Sequence, residues 1–224
     1  MEPVISMRNI KKSYGEKVKT EVLHGIDLDI EEGEFCALVG QSGSGKTTLL
    51  NITGLLDKPT SGTISIFGKH IENATDAEIT AIRGRTIGFV FQFHHLISAF
   101  NSLENVMLPM MAATGGLATK AMKEKAKYLL DAVGMSDRLT YKPDEISGGQ
   151  RQRVSIARAL SMDPKIILAD EPTGNLDTAM SNEVFSLLRK INLEQKTSFL
   201  IVTHDSSVAA ACDRTVGIVD GKLV

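Results

Sequence analysis

The sequence predicts an α/β protein: a largely parallel sheet core with a helical segment inserted in mid-chain. Three observations carry that class. Short apolar runs that stop at glycine or at a polar residue alternate with helical stretches over most of the chain. A glycine-rich loop, GQSGSGKTT (40–48), lies between one such run and one such stretch. From residue 93 to 160 the strand signals lapse, and Met, Ala, Leu, Lys and Glu at helical spacing take over.

The elements follow in order. VLHGIDLDI (22–30) alternates like a half-buried strand and ends at the turn EEGE. FCALVG (35–40) is short, apolar and closed by glycine, as a buried strand is, and TTLLNITGLL (47–56) is predicted as the helix after it. TISIFG (63–68) and IGFVFQ (87–92) are further strands. AMKEKAKYLLDAVG (121–134) is the clearest helix of the insert. KIILADEP (165–172) is a strand, TAMSNEVFSLLRKINLE (178–194) a helix, SFLIVTHD (198–205) a strand, and TVGIVDGKLV (215–224) a closing hairpin-like pair. Residues 1–224 then make one domain, with a core from 1–92 and 161–224 and a helical insert from 93–160.

The chain has 224 residues, 42% hydrophobic and 23% charged, ordinary values for a globular protein. A net charge of −2 argues against a nucleic-acid partner held by bulk charge. The two cysteines have no metal spacing and read as reduced thiols. No run approaches about 18 apolar residues, and MEPVISMRNIKKSYG lacks the apolar stretch of a signal peptide, so the chain is expected neither to span a membrane nor to be exported.

Gly40, Gly45, Lys46 and Thr47 fit G-x-x-x-x-G-K-[ST] between a strand and a helix. Such a loop, with Ser42, Gly43, Ser44 and Thr48, wraps phosphates with backbone N–H groups. Lys46 would reach the β- and γ-phosphates of a nucleotide, and Thr47 would ligate Mg²⁺. A second metal carboxylate is needed on a neighbouring strand, and IILAD ends in Asp170. Glu171 follows and is placed to polarise an attacking water. His204 ends FLIVTH, where a histidine can hydrogen-bond the γ-phosphate. Gln92 ends IGFVFQ; its amide fits a role in positioning metal or water, and it fits a plain polar strand end equally. A second phosphate-attracting site is EISGGQRQRVSIARAL (145–160), where Ser147, Gly148, Gly149 and Gln150 precede a strongly helical run. Helix starts carry free N–H groups and partial positive charge.

The order Gly40–Thr47, Gln92, ISGGQ (146–150), IILADE (166–171), NLD (175–177) and His204 resembles an ABC-type ATPase over essentially the whole chain. The resemblance implies the ABC ATPase fold: a RecA-like P-loop NTPase core, an inserted helical subdomain carrying the signature, and an N-terminal antiparallel β subdomain. It implies ATP and Mg²⁺ as ligands. It also implies a homodimer in which the Ser-Gly-Gly of one chain faces the phosphate loop of the other, so that Ser147 and Gly149 serve the partner's ATP. Asp177 resembles the aspartate at that dimer seam, and Tyr14 matches the aromatic that stacks on adenine. Ile146 stands where the family usually has Leu.

FVFQFHHLISAFNSLENVMLP (89–109) with EPTGNLD (171–177) is similar to the LolD/MacB-like branch, which contains lipoprotein-release and macrolide-export ATPases. In that branch the chain is an ATP hydrolase on the cytoplasmic face of the inner membrane, attached through integral-membrane permease subunits. A permease segment would dock near Gln92 and the helices after it. VMLPMMAA (106–113) suits either that contact or packing inside the helical insert. ISAFNS after His95 departs from the LolD type, and FtsE-like signalling stays open beside lipoprotein release and MacB-like export. His94 and His95 are adjacent, with no third ligand nearby, and are not read as a metal site. A DNA-repair ATPase of the SMC or Rad50 kind would need coiled coils between the two phosphate sites, a translation factor of the ABC-F kind would need two tandem cassettes, and a P-loop metabolite kinase would have no use for SGGQ.

Overall fold

The structure, a computed structural model, describes residues 3–15 and 18–224. Within them the chain runs β1 (Ile5–Tyr14), β2 (Thr20–Ile30), β3 (Phe35–Val39), α1 (Lys46–Thr53), β4 (Ser61–Ile66), β5 (Lys69–His70), α2 (Asp76–Thr86) and β6 (Ile87–Phe91). Three helices follow, α3 (Ser102–Ala113), α4 (Lys120–Ala132) and α5 (Gly148–Leu160). The chain then returns through β7 (Ile166–Asp170), α6 (Thr178–Gln195), β8 (Ser198–Thr203), α7 (Ser206–Ala210), β9 (Arg214–Val219) and β10 (Lys222–Leu223).

Among the described residues these strands form two sheets. One is antiparallel, in the order β2-β1-β4-β5; the other runs β10-β9-β3-β8-β7-β6. In the second, β3, β8, β7, β6 and β9 pair in parallel and β10 closes antiparallel on β9. Parallel strands with both faces covered read as unbroken apolar runs. That is why IILAD and SFLIVT do not alternate. Leu168, Leu200 and Val202 belong to one core cluster with Leu38 and Leu49. Ile167, Ala169, Phe199 and Ile201 belong to a second cluster with Val154, Val184 and Leu188. All of these side chains are buried, and truncating one of the leucines or isoleucines to alanine costs about 2–5 kcal/mol.

Several sequence expectations change. The helix expected over 47–56 spans Lys46–Thr53, because Leu55 takes a left-handed φ of 55°. Helix does not begin at 93: residues 93–101 contain no helix, and α3 starts at Ser102 behind an Asn101–Glu104 capping box. Of the two roles left open for VMLPMMAA, packing inside the insert holds for Met107, which is buried with Val106 and Met110 in the second cluster. Met111 is half-buried against the same cluster. Cys36 is fully buried and Cys212 partly so; burial pushes the first thiol up to about 12 and the second to about 11. Among the described residues no helix is long and apolar enough to cross a membrane.

Candidate functional site

The loop 40–45 leaves the carboxyl end of β3 and enters α1 at its amino end. Gly43 and Gly45 have φ of 81° and 107°, conformations that a side chain resists. A Cβ at Gly45 would also stand 2.9 Å from Leu23 Cδ2, so β2 packs directly against the loop. Gly45 caps α1 without any side-chain bond, which leaves the first N–H groups of the helix to an outside acceptor. Lys46 is buried, and its Nζ donates to the carbonyls of Gly40 at 2.8 Å and Gln41 at 2.7 Å. Ser44 is buried in the loop, and its Oγ has no hydrogen-bond partner among the described residues. A charged donor folded back on its own loop and an orphaned hydroxyl are what a phosphate-shaped ligand would engage.

Parallel register brings the other strand ends to the same edge. Val39 lies opposite Thr203, and Asp170 lies opposite Val202 and Phe91. The result is a cleft of about 460 Å³ lined by Ser42, Gly43, Lys46, Thr47, Thr48, Asp170, Glu171 and His204, with Gly40 and Gly45 at its floor. The Asp170 carboxyl is raised above the ordinary range by burial first and by the charge of Glu171 second, with Lys46 opposing both. Glu171 has a left-handed φ of 44°, a conformation that costs about 1–3 kcal/mol in a non-glycine residue. Its N–H donates to Val202 O at 2.9 Å, and its Oε2 meets His204 Nδ1 at 2.8 Å. His204 is otherwise open to solvent.

Gln92 and Tyr14 stand outside this lining. Gln92 Nε2 donates to Asn175 Oδ1 at 3.1 Å, and Asn175 Nδ2 returns a 3.3 Å bond to Gln92 O. Tyr14 is 43% exposed; its hydroxyl donates to Asp57 Oδ2 at 2.8 Å, and Lys12 Nζ lies 4.8 Å from its ring centroid. Burial leads the influences that raise its phenol, and Thr48 of the loop is close enough to oppose them.

The Ser147 stretch is elsewhere again. Ser147 is the N-cap of α5: its Oγ accepts from Gln150 N at 3.3 Å, and its N–H donates to Gln150 Oε1 at 2.9 Å. SGGQ is therefore a reciprocal capping box in its own right. Ser147 is exposed and Gly149 buried, where a Cβ would stand 2.9 Å from Met180 Sδ. Neither Ser147, Gly148, Gly149 nor Gln150 lines the cleft of Lys46 and Glu171. Asp177 caps α6 by accepting from Met180 N at 2.9 Å.

Sequence reasoning missed the residues that hold these parts in place. Gln152 is fully buried in α5, and its Nε2 donates to Pro172 O at 2.7 Å, one residue past Glu171. Arg158 Nη1 and Nη2 donate to the carbonyls of His95 and His94, each at 2.6 Å. Ser155 Oγ donates to His94 O at 3.4 Å. The available signal was spacing: Gln152 and Ser155 are three apart, on one helical face, between residues that the fold buries.

Two further concavities lie outside the cleft of Lys46 and Glu171. A groove of about 300 Å³ between β6, α3 and α5 is lined by Leu56, Phe89, Phe91, Pro109, Arg158 and Met162. A larger crevice, about 640 Å³, lies between residues 55–64 and α2, away from the phosphate loop. Its charges are already spent locally, Lys58 on Asp76 at 2.7 Å and Arg83 on Leu55 O at 2.8 Å.

Residues 23–174 match a family model described as ABC transporter. The chain is 54% identical to the lipoprotein-releasing system ATP-binding protein LolD 1 of Rhodopseudomonas palustris, over 100% of this chain and 99% of that one. It is 53% identical to the lipoprotein-releasing system ATP-binding protein LolD of Anaeromyxobacter dehalogenans, over 99% and 93% of the two chains. Among solved structures it resembles the dimeric ATP-binding cassette MJ0796 in a post-hydrolysis state bound to ADP and Pi, with a TM-score of 0.89 and 40% identity, covering 98% of this chain and 96% of that one. It resembles cbiO1 of Clostridium perfringens with a TM-score of 0.88 and 28% identity, covering 100% and 88%. The chain belongs to the ABC transporter family and is its ATP-binding, ATP-hydrolysing cassette.

Proposed function

We propose that this chain works as a homodimer, on the cytoplasmic face of the inner membrane, and powers a permease that releases lipoproteins. The observation that carries the ATPase half is the convergence of Lys46, Thr47, Asp170, Glu171 and His204 on one cleft while Ser147–Gln150 stays apart from it. The lipoprotein half is supported by full-length likeness to relatives named for lipoprotein release.

In this reading the loop N–H groups and Lys46 bind the β- and γ-phosphates of ATP. Lys46 exchanges the carbonyls of Gly40 and Gln41 for phosphate oxygens, so the ammonium is never left without acceptors. Thr47 and Asp170 suit Mg²⁺: both offer hard oxygen donors, and one protein carboxylate with phosphates and water is the usual set for this ion. When bound, Mg²⁺ neutralises charge on the phosphates. Glu171 accepts a proton from the attacking water, and His204, already bonded to Glu171, orients that carboxylate and faces the γ-phosphate. Gln92, whose amide bonds Asn175, would help hold the metal and the attacking water. Tyr14, at the rim beside Thr48, offers its exposed ring to adenine.

Ser147 and Gly149 serve the ATP of a second copy. The capping bond uses one lone pair of Ser147 Oγ as acceptor, which leaves its O–H free to donate outward. Asp177 lies at the seam of that pair. The groove of Leu56, Phe89 and Pro109 receives a cytoplasmic permease segment, which brings the chain to the membrane without a span of its own.

The test is Glu171→Gln. It keeps the shape of the site and removes the proton acceptor, so ATP should bind and lock a dimer while phosphate release falls by about 100-fold or more. Light scattering with and without ATP reads the first, and a phosphate assay the second. Near-normal hydrolysis by this variant would overturn the assignment.

A further inference from the structure

The backbone just after Gln92 is held in an unusual state. His94 and His95 are consecutive non-glycine residues with φ of 59° and 49°. One such residue is uncommon, and two in a row mark a segment that its surroundings must over-determine. The local bonds are short-range turns: His94 N donates to Phe91 O at 3.1 Å, and His95 N to Phe93 O at 2.6 Å. Those alone do not select the left-handed form, since the same turns close in right-handed versions. What does select it comes from far away in sequence. The planar fork of Arg158 meets both carbonyls at 2.6 Å, and Ser155 adds a third donor to His94 O. Two carbonyls presented side by side to one guanidinium require both peptides to be turned the same way.

Arg158 also sits at a junction. It is on α5, the helix that Ser147 caps, eleven residues after that cap. It lines the groove next to Phe91 and Pro109. The acceptors the structure gives it are backbone carbonyls, so its orientation is tied to the 93–95 segment and not to a carboxylate.

We propose that Arg158 is a positioning residue that clamps the Gln92 loop in its left-handed form and makes that loop move as one piece with the helix carrying Ser147. The proposal rests on the reading of Gln92 above for its consequence, and on the clamp geometry for its substance. A shift of α5 then repositions Gln92 in its own subunit as it repositions Ser147 toward the partner copy. Both halves of a closed site are set by one rigid element.

The experiment compares Arg158→Ala, Arg158→Lys, and the same variants with His94→Gly and His95→Gly added. Glycine adopts positive φ without penalty, so it supplies by intrinsic preference what Arg158 supplies by bonding. Lysine offers one point charge and cannot bridge two carbonyls as the fork does. Amide hydrogen exchange of residues 92–97 should speed up by about tenfold in Arg158→Ala and less in Arg158→Lys. Phosphate release should fall with it, while ATP affinity at Lys46 stays within about twofold, since Arg158 does not touch that cleft. The glycine pair should return a large part of both losses. A role limited to packing α5 predicts no return, because glycine at 94 and 95 fills nothing. If Arg158→Ala does not fold, the lysine pair of variants makes the same comparison. Unchanged exchange in the arginine variants, or a glycine pair that leaves both defects as deep, overturns the clamp. Exchange that responds while phosphate release does not would keep the clamp and remove Gln92 from the reaction.

Discussion

Asp170, proposed above to hold Mg²⁺, sits in a position that works against the fold. Burial, and then Glu171, raise its folded pKa above the unfolded value of about 3.9. A carboxylate with a raised pKa destabilises the folded chain wherever it is ionised in both states. That penalty is present at neutral pH and disappears as pH falls through the raised folded pKa toward the unfolded one. Asp170→Asn should therefore raise the thermal midpoint of the nucleotide-free protein at pH 7, with the gap to the native chain closing near pH 4. It should also abolish Mg²⁺-dependent turnover, so stability and activity move in opposite directions. A thermal midpoint that falls at pH 7 would contradict the burial argument. The single-residue candidates were legible in the sequence because loop chemistry and strand-end position are local signals. The partners were not. Asn175 lies 83 residues from Gln92, and Arg158 lies 63 and 64 from His95 and His94. No pattern within a window reports bonds over such separations. The inner face of α5 was the nearest to a clue.

Among the elements, the buried parallel strands were plain, since an apolar run stopped by a polar residue has few other meanings. β1, α2 and the short β5 and α7 escaped. β1 places Ile5, Met7 and Ile10 in the core, and the spacing slips because Asn9 takes a φ of 49° at a register shift. A bulge breaks the period of two that marks a strand. α2 buries none of its residues, so it has no apolar stripe to read; the Thr75–Glu78 capping box was its one sequence signature. The helical insert shows the opposite error, where composition pointed to helix from 93 and the strained 93–95 turn came first. The same element scale separates the two roles once open for VMLPMMAA. Met107→Glu should cost on the order of 2–5 kcal/mol and show as a lowered denaturant midpoint, because the side chain is core. Leu56→Glu, at a groove residue 48% exposed, should leave that midpoint nearly unchanged and reduce co-purification of the permease. Equal destabilisation by both would remove the groove as a docking surface.

For the whole molecule, the phosphate loop and the Ser147 stretch of one chain line no common cleft, and the head-to-tail pair proposed above would resolve that separation. Mixing tests it. Lys46→Ala and Ser147→Arg should each be nearly inactive alone, since every site of either homodimer holds one damaged half. Combined, each heterodimer contains one doubly damaged site and one intact site, so activity should return. With Glu171→Gln added to both chains, one nucleotide should remain trapped per mixed dimer; none trapped counts against the trans arrangement. The architecture that frames this pair was legible as a class, from strand-helix alternation and one loop, while the antiparallel layer packed against that loop was visible only by resemblance. The thiols offer a last consequence. With Cys36 sealed in the core and both sulfurs held protonated far above neutral pH, the native chain presents almost no thiolate to an alkylating dye. A cysteine placed by substitution on an exposed face is thus the dominant address for a maleimide. Fluorescent or spin labels can then time the meeting of two chains without first stripping the protein of its own sulfur.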